Sequence, residues 1–359
     1  MVVQVGLGSM VIRSVDLFCG VGGLTYGVRK AGIEVLAGYD IDAGSQYAYE
    51  VNNPGTKFFL KDVRDIGRGE VVSLYPEDTD IRVLMGCAPC QPFSSYNRQP
   101  ADSPSRTSKM ELLDYFGVQV REVKPEIVSM ENVPNLAKEP VFESFLSTLE
   151  ELGYFVDWQV VKVADYGVPQ TRQRLLLLAS RLGEISLMHP THKSNCYATV
   201  RDVIEDQPFL KAGQTDSKDN LHRCRALTDI NLKRIQSSVP GGTWEDWPEE
   251  LLPNAYRKKS GQTYKSVYGR LAWDKPSSTI TTQFIGYGSG RFGHPEQDRA
   301  LSLREGALLQ TFPKRYEFID PEVGDQYSTK AVAVQIGNAV PPRLGEIIGR
   351  SIRAHVDQH

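Results

Sequence analysis

The run Ser14-Val15-Asp16-Leu17-Phe18, continued by Cys19-Gly20-Val21-Gly22-Gly23-Leu24, decides the fold class. A short apolar run that ends in a glycine-rich turn and opens a helical pattern is a strand–turn–helix unit. After the turn, Leu24, Gly27, Val28 and Ala31 recur at i, i+3, i+4 and i+7, a stripe that would lie on a sheet. Further strand-like runs follow at Glu34–Tyr39, Arg82–Met85, Glu126–Met130 and Arg174–Ala179, with helical patterns between them. From about residue 12 to 180 this alternation predicts an α/β fold, a doubly wound and mostly parallel sheet with crossover helices.

Beyond it the pattern changes. Stretches such as HPTHKSNC (189–196), VPGGTWEDWPEE (239–250) and YGSGRFGHPEQ (287–297) predict a smaller, irregular and loop-rich region. Residues 189–270 carry 13 Lys and Arg against 10 Asp and Glu, a mildly basic stretch in a chain of net charge −3. Such a balance argues against a surface that grips nucleic acid everywhere, yet leaves room for a local basic face. From Lys330 to His355 helical periodicity returns.

No apolar run reaches the roughly 18 residues needed to span a membrane, and MVVQVGLGSMVIRSV lacks the features of a signal peptide. Five cysteines give no disulfide framework, and a reducing cytoplasm is expected.

Ligands of open α/β sheets bind beyond the carboxyl ends of the strands. After the first strand stands the glycine turn Gly20–Gly23, and the second ends in Asp40, about 20 residues on, where a carboxylate can take ribose hydroxyls. The dinucleotide fingerprint would need a third glycine where Thr25 stands, which weakens a nicotinamide reading. After the Arg82–Met85 run comes Gly86-Cys87-Ala88-Pro89-Cys90-Gln91-Pro92-Phe93-Ser94. A zinc site would want a second C-x-x-C pair, and His192, Cys196, His222 and Cys224 lack finger-like spacing. A redox pair would want a thioredoxin-like context. The remaining reading is one nucleophilic cysteine, Cys90, on a proline-shaped loop, with Cys87 a small buried neighbour. Glu131, leaving a buried run, offers an acid, and Arg172 and Arg174 alternate on entering a strand, as two side chains serving one site would.

Together and in this order, DLFCGVGG (16–23), APCQPFS (88–94), ENV (131–133), QTRQR (170–174), RLAWDKPSSTITT (270–282), HPEQDRALSLREGALLQTFP (294–313) and GNAVPP (337–342) resemble the DNA (cytosine-5) methyltransferase family, over nearly the whole chain. The resemblance implies a Rossmann-like methyltransferase domain over 12–184 plus 328–359, and a target-recognition domain over 185–327. It implies S-adenosylmethionine as cofactor, S-adenosylhomocysteine as product, and no metal. Phe18, Gly20, Gly22, Gly23 and Leu24 would hold the cofactor. Asp40 would take its ribose, Ile41 would pack on the adenine and Asp62 would bind the adenine amino group. Val63, Pro89, Leu112, Asn338 and Val340 would complete the pocket.

Cys90 would be the nucleophile, Glu131 the acid at cytosine N3, and Arg172 and Arg174 would steady the base and its loop. A thiolate added at C6 makes C5 able to attack a methyl group and can leave again. The cytosine must flip out of the duplex for this, and Ser94–Lys109 is the loop expected to close over it. Gln91, Ser94, Arg223, Arg225, Arg257 and Lys258 are the DNA-contact candidates. Where the family often has an Asp-Arg pair ahead of Leu112, this chain has Ser108-Lys109, with Asp102 and Arg106 the nearest alternatives. Lys109 keeps the charge without the bidentate fork.

The implied partner is double-stranded DNA, acted on by a monomer of prokaryotic or phage type, with a cognate restriction endonuclease as a second partner. Two alternatives stay open: a tRNA cytosine-5 methyltransferase, whose Cys-Phe-Thr signature this chain lacks, and a catalytically inactive DNA-binding regulator.

Overall fold

The computed structural model describes residues 10–89, 104–258, 265–323 and 326–359, with the backbone alone for 104–110. Cys90, Gln91 and Ser94 lie outside the described residues. By contacts the chain divides into two compact units, Met1–Val161 with Gln173–His189 and Leu344–His359, and Lys162–Arg172 with Pro190–Arg343.

The first unit is a seven-stranded sheet, with strands β1 (Ile12–Leu17), β2 (Glu34–Asp40), β3 (Lys57–Leu60), β4 (Ile81–Gly86), β5 (Ile127–Asn132), β6 (Phe155–Lys162) and β7 (Gln173–Ser180) in the order β3-β2-β1-β4-β5-β7-β6. The pairs β3–β2, β2–β1, β1–β4 and β4–β5 are parallel, and β7 runs antiparallel to β5. All five runs read from the sequence are strands, shifted by a residue or two. Two of the shifts matter. Phe18 is not in β1 but just past it, in the left-handed region at φ 61°. Glu131 does not leave β5 but lies within it, opposite Leu176.

Helices α1 (Gly23–Lys30), α2 (Gln46–Asn52), α3 (Pro104–Val123) and α4 (Pro140–Glu151) connect these strands. Proline suits the first turn of a helix, whose N–H has no partner in any case, and α3 takes in 104–109 of the segment Ser94–Lys109 expected as a closing loop, whose residues 94–103 lie outside the described residues. Alternation sends Val15 and Leu17 of β1 into the core that α3 and α4 cover with Phe116, Val120, Phe142 and Phe145.

The opposite face of β1 carries Asp16, buried against α1, where Oδ2 accepts the Thr25 hydroxyl at 2.7 Å. Its other oxygen, Oδ1, has no hydrogen-bond partner. Burial pushes this carboxyl up to about 7.

In the second unit the described residues form α5 (Val200–Ile204), α6 (Asp229–Gln236), α7 (Leu303–Leu309) and α8 (Thr329–Asn338), with turns and isolated bridges. The last helix, α9 (Pro342–Val356), returns the chain to the first unit. There Gly345 meets α1 so closely that a Cβ would lie 2.8 Å from the Leu24 carbonyl oxygen.

Buried arginines organise the irregular unit. Arg270 donates to the carbonyls of Ile235, Ser238, His294 and Gln297 and pairs with Asp298. Arg299 forks onto Glu305 with two 2.7 Å bonds, both side chains fully buried. Glu305 also accepts from the Ser302 N–H at 2.8 Å, closing the capping box of α7. Burial alone would raise the Glu305 carboxyl, but the charge and hydrogen bonds of Arg299 bring it to about 2.

Two stability measurements test these readings. Arg299→Met strands an ionised Glu305 and is expected to cost about 3–5 kcal/mol in denaturant unfolding, whereas a loss under about 1 kcal/mol would show the pair to be dispensable. For Asp16, ionisation begins near pH 4 in the unfolded chain but only near 7 in the folded one. The folded state therefore holds the extra proton in that window, and stability falls as pH rises through it. Asp16→Asn removes this component, so its stability relative to wild type grows from about pH 4 to about pH 7; parallel curves for the two proteins would contradict the buried proton.

Candidate active site

The reversal of strand order places β2 and β4 on either side of β1, and the segments after these strands are where a ligand belongs. After β1 the chain turns sharply through Phe18 (φ 61°), Gly20 (φ 49°) and Gly22 (φ 84°) into α1. Glycine takes positive φ freely, while a phenylalanine there carries strain of about 1 kcal/mol or more. The half-buried Phe18 ring packs against the core of the first unit.

The Gly20 N–H donates to Asp40 Oδ2 at 2.8 Å, and Asp42 N–H to Oδ1 at 2.9 Å, so the end of β2 fastens the glycine turn. Burial raises the Asp40 carboxyl and these two N–H groups oppose the rise. Beside it Ile41 is 69% exposed, an apolar side chain standing in the open. A Cβ on Gly20 would meet nothing within 4 Å, so open space faces the turn. Gly23, Leu24 and Val63 are buried, while Leu112 and Pro89 are half-buried. Asp62 is already engaged: Arg64 bonds both its oxygens, at 3.0 and 2.6 Å, and holds its carboxyl below the ordinary carboxylate range.

The chemistry-bearing side chains meet at the next strand ends. Because β7 is antiparallel to β5, its first residues lie at the carboxyl end of β5. Arg174 thereby reaches Glu131, Nε to Oε1 at 2.7 Å, with Glu131 only 3% and Arg174 11% exposed. The other oxygen of Glu131 accepts the Cys87 thiol, Sγ to Oε2 at 2.7 Å. Cys87, expected as a buried bystander, is half-buried and bonded. Asn132 Nδ2 donates to the Ala88 carbonyl at 3.0 Å, tying the residues just before Pro89 and Cys90 to β5.

The structure thus brings Glu131, Arg174 and Cys87 together. Arg172 has its own partners within the second unit, donating to the carbonyls of Ile280 at 3.1 Å and Gly337 at 3.5 Å. β7 starts at Gln173, so Arg172 precedes the strand whose alternation would have paired it with Arg174. In that unit Asn338 is exposed and Val340 buried. Arg223 bonds Thr215 at 2.8 Å and stacks on Tyr327, while Arg225, Arg257 and Lys258 are exposed, Arg257 donating to the Glu249 carbonyl.

Sequence reasoning passed over Asp16, Cys87 and Gln170. Gln170 is fully buried, bonding the Leu309 carbonyl, Gln310 and the Ile280 N–H. Its signal was its place in QTRQR; Asp16 and Cys87 likewise stand at the edges of motifs whose centres drew the reading. Among the described residues no cluster of His, Cys, Asp and Glu could hold a metal ion, and no helix is long and apolar enough to cross a membrane.

Comparison with known proteins agrees with this geometry. The family described as C-5 cytosine-specific DNA methylase matches residues 12–354. The chain is 51% identical over 352 residues to the Type II methylase M.HgiDII of Herpetosiphon aurantiacus, covering 97% of each chain. It is 31% identical to the Type II methyltransferase M1.HphI of Haemophilus parahaemolyticus, over 96% of this chain and 87% of that one. Among solved structures, a prophage-encoded DNA modification methyltransferase of E. coli superposes with a TM-score of 0.73 at 22% identity, covering 97% of this chain and 100% of that one, which speaks for the fold. With the motifs, the sheet and the Glu131 cluster in agreement, the chain belongs to the C-5 cytosine-specific DNA methylase family and is a DNA (cytosine-5) methyltransferase.

Proposed function

We propose that the chain methylates C5 of a cytosine flipped out of duplex DNA, through a covalent adduct at Cys90, with S-adenosylmethionine as methyl donor and S-adenosylhomocysteine as product. The observation that carries this reading is the Glu131 carboxylate, buried at the strand ends between Arg174 and Cys87, beside an asparagine that anchors the approach to Cys90.

The residues after β1 and β2 fit the cofactor: an open glycine turn, a carboxylate at the ribose position and an exposed apolar side chain for the adenine. Phe18, Gly20, Gly22, Gly23, Leu24, Asp40, Ile41, Asp62, Val63, Pro89, Leu112, Asn338 and Val340 are assigned to it. When bound, S-adenosylmethionine supplies an electrophilic methyl group.

The chain's own residues prepare the acceptor. The Cys90 thiolate forms a bond to C6 of the ring, and Glu131, having taken up a proton from solvent, delivers it at N3 to offset the negative charge, leaving C5 nucleophilic. Arg174 holds Glu131 at that edge, and Arg172 supports the segment leading into β7. Once C5 carries the methyl group its proton passes to solvent acting as base, the C6–S bond breaks with its electron pair returning to the Cys90 thiolate, and N3 gives its proton back to Glu131 as the ring regains aromaticity. Flipping the base costs a few kcal/mol, recovered from pocket and phosphate contacts.

The functional division follows the motifs: cofactor binding and catalysis over 12–184 with 328–359, target recognition over 185–327. Gln91, Ser94, Arg223, Arg225, Arg257 and Lys258 are assigned to DNA. The relatives named as Type II methylases support a role beside a cognate restriction endonuclease; the chain is assigned to the cytoplasm as a monomer.

Labelled methyl transfer to duplex DNA tests this. Wild type is expected to label cytosine C5, Cys90→Ser to fall to background, and Glu131→Gln to lose about 10²–10⁴-fold in rate. Label on tRNA in place of DNA would overturn the substrate, and an active Cys90→Ser would overturn the covalent route.

A further inference from the structure

Cys87 directly follows β4, and Gly86 pairs with Met130, so the sheet register sets Cys87 beside Glu131. Its backbone is fixed as well: the Cys87 N–H bonds the Leu17 carbonyl of β1 at 3.3 Å, and β1 approaches so closely that a Cβ on Gly86 would sit 2.7 Å from the same oxygen. At 2.7 Å the thiol sulfur and Glu131 Oε2 are in direct contact, with no room for water between them. Arg174 occupies Oε1. The Arg174 contact is an ion pair that makes no hydrogen bond to Oε1, so among the described residues it is the Cys87 thiol that fixes the carboxylate by hydrogen bonding about its last torsion.

We propose that Cys87 is a positioning residue that holds Glu131 in the orientation needed to meet the target base, and does so with a weak donor so that Oε2 can be surrendered to ring N3. This inference rests on the reading of Glu131 as the acid at N3. A thiol suits the task because it is a weaker donor than a hydroxyl or an ammonium group: it orders the carboxylate before the base arrives without competing strongly afterwards. Cys87 touches neither base nor cofactor in this scheme and acts only through Glu131.

The full-length Cys87→Ala, Cys87→Ser, Glu131→Gln and Cys87→Ala/Glu131→Gln proteins separate the alternatives, assayed for single-turnover methyl transfer to duplex DNA across pH. Calorimetric S-adenosylmethionine binding checks that each variant folds. Cys87→Ala is expected to lower the rate about tenfold, with cofactor affinity within about twofold of wild type. The pH at which its rate falls off moves upward, because the ionised carboxylate has lost a donor. Cys87→Ser restores the pH profile, because a hydroxyl also donates to the carboxylate, but not the full rate, because the stronger donor competes with N3 for Oε2. In the Glu131→Gln background the alanine change has no further effect, the non-additivity expected of a residue that acts through Glu131.

Equal losses in both backgrounds, or an unshifted pH profile, would overturn the inference and leave the acid role of Glu131 intact. Full activity in Glu131→Gln would overturn that role and this inference with it.

Discussion

The reversed strand β7 is the constraint on which the site depends. A parallel sheet delivers only carboxyl ends to its ligand-binding edge, so residues that begin a strand are excluded from it. Turning β7 antiparallel beside β5 brings the start of one strand to the finish of another, and Arg174 meets Glu131. Neither side chain is tolerable there alone: an unpaired charge this deeply buried costs several kcal/mol. The fold and the chemical group are therefore selected together, because a sheet built without the reversal would have to leave Glu131 unpaired or neutral.

The glycine turn obeys a related logic. Two turn glycines and one phenylalanine hold positive φ between β1 and α1. The phenylalanine is the costly one, and the surrounding structure fixes it through its ring in the core and through the Gly20–Asp40 bond. Asp40 does two jobs in this arrangement, ending a strand and pinning a neighbouring turn. Its carboxylate is thereby held in one orientation, and a pre-oriented group loses less entropy when it binds a ligand.

Much of this was legible in the sequence and some was not, for physical reasons. The inner strands announced themselves because burial on both faces demands continuous apolar runs. β3 is only four residues long, and β6 mixes exposed Phe155, Trp158 and Val160 with polar residues, so neither gave such a run. The motifs located Glu131, Arg174 and the glycine turn. Cys87 looked inert because a thiol's partner is set by the register between β4 and β5, which local sequence does not encode. Arg172 and Arg174 looked like a matched pair because alternation was assumed one residue before the strand begins. In the second unit irregularity was readable, but the buried role of Arg270 and Arg299 was not, since nothing local distinguishes a buried arginine from a solvated one.

That second unit solves a different problem from the first. With no named strand among its described residues, it cannot fix its backbone by a ladder of hydrogen bonds, yet buried carbonyls still need donors. Arg270 satisfies four of them from two separate segments, and the Arg299–Glu305 pair locks the start of α7. Anchors of this kind act at points, so the turns between them are held at their ends and are free to change in sequence along their length. A sheet constrains every residue of every strand, whereas a loop region stapled by a few arginines constrains only the staples. Chemistry that must stay the same suits the first kind of scaffold, and surfaces that must vary suit the second.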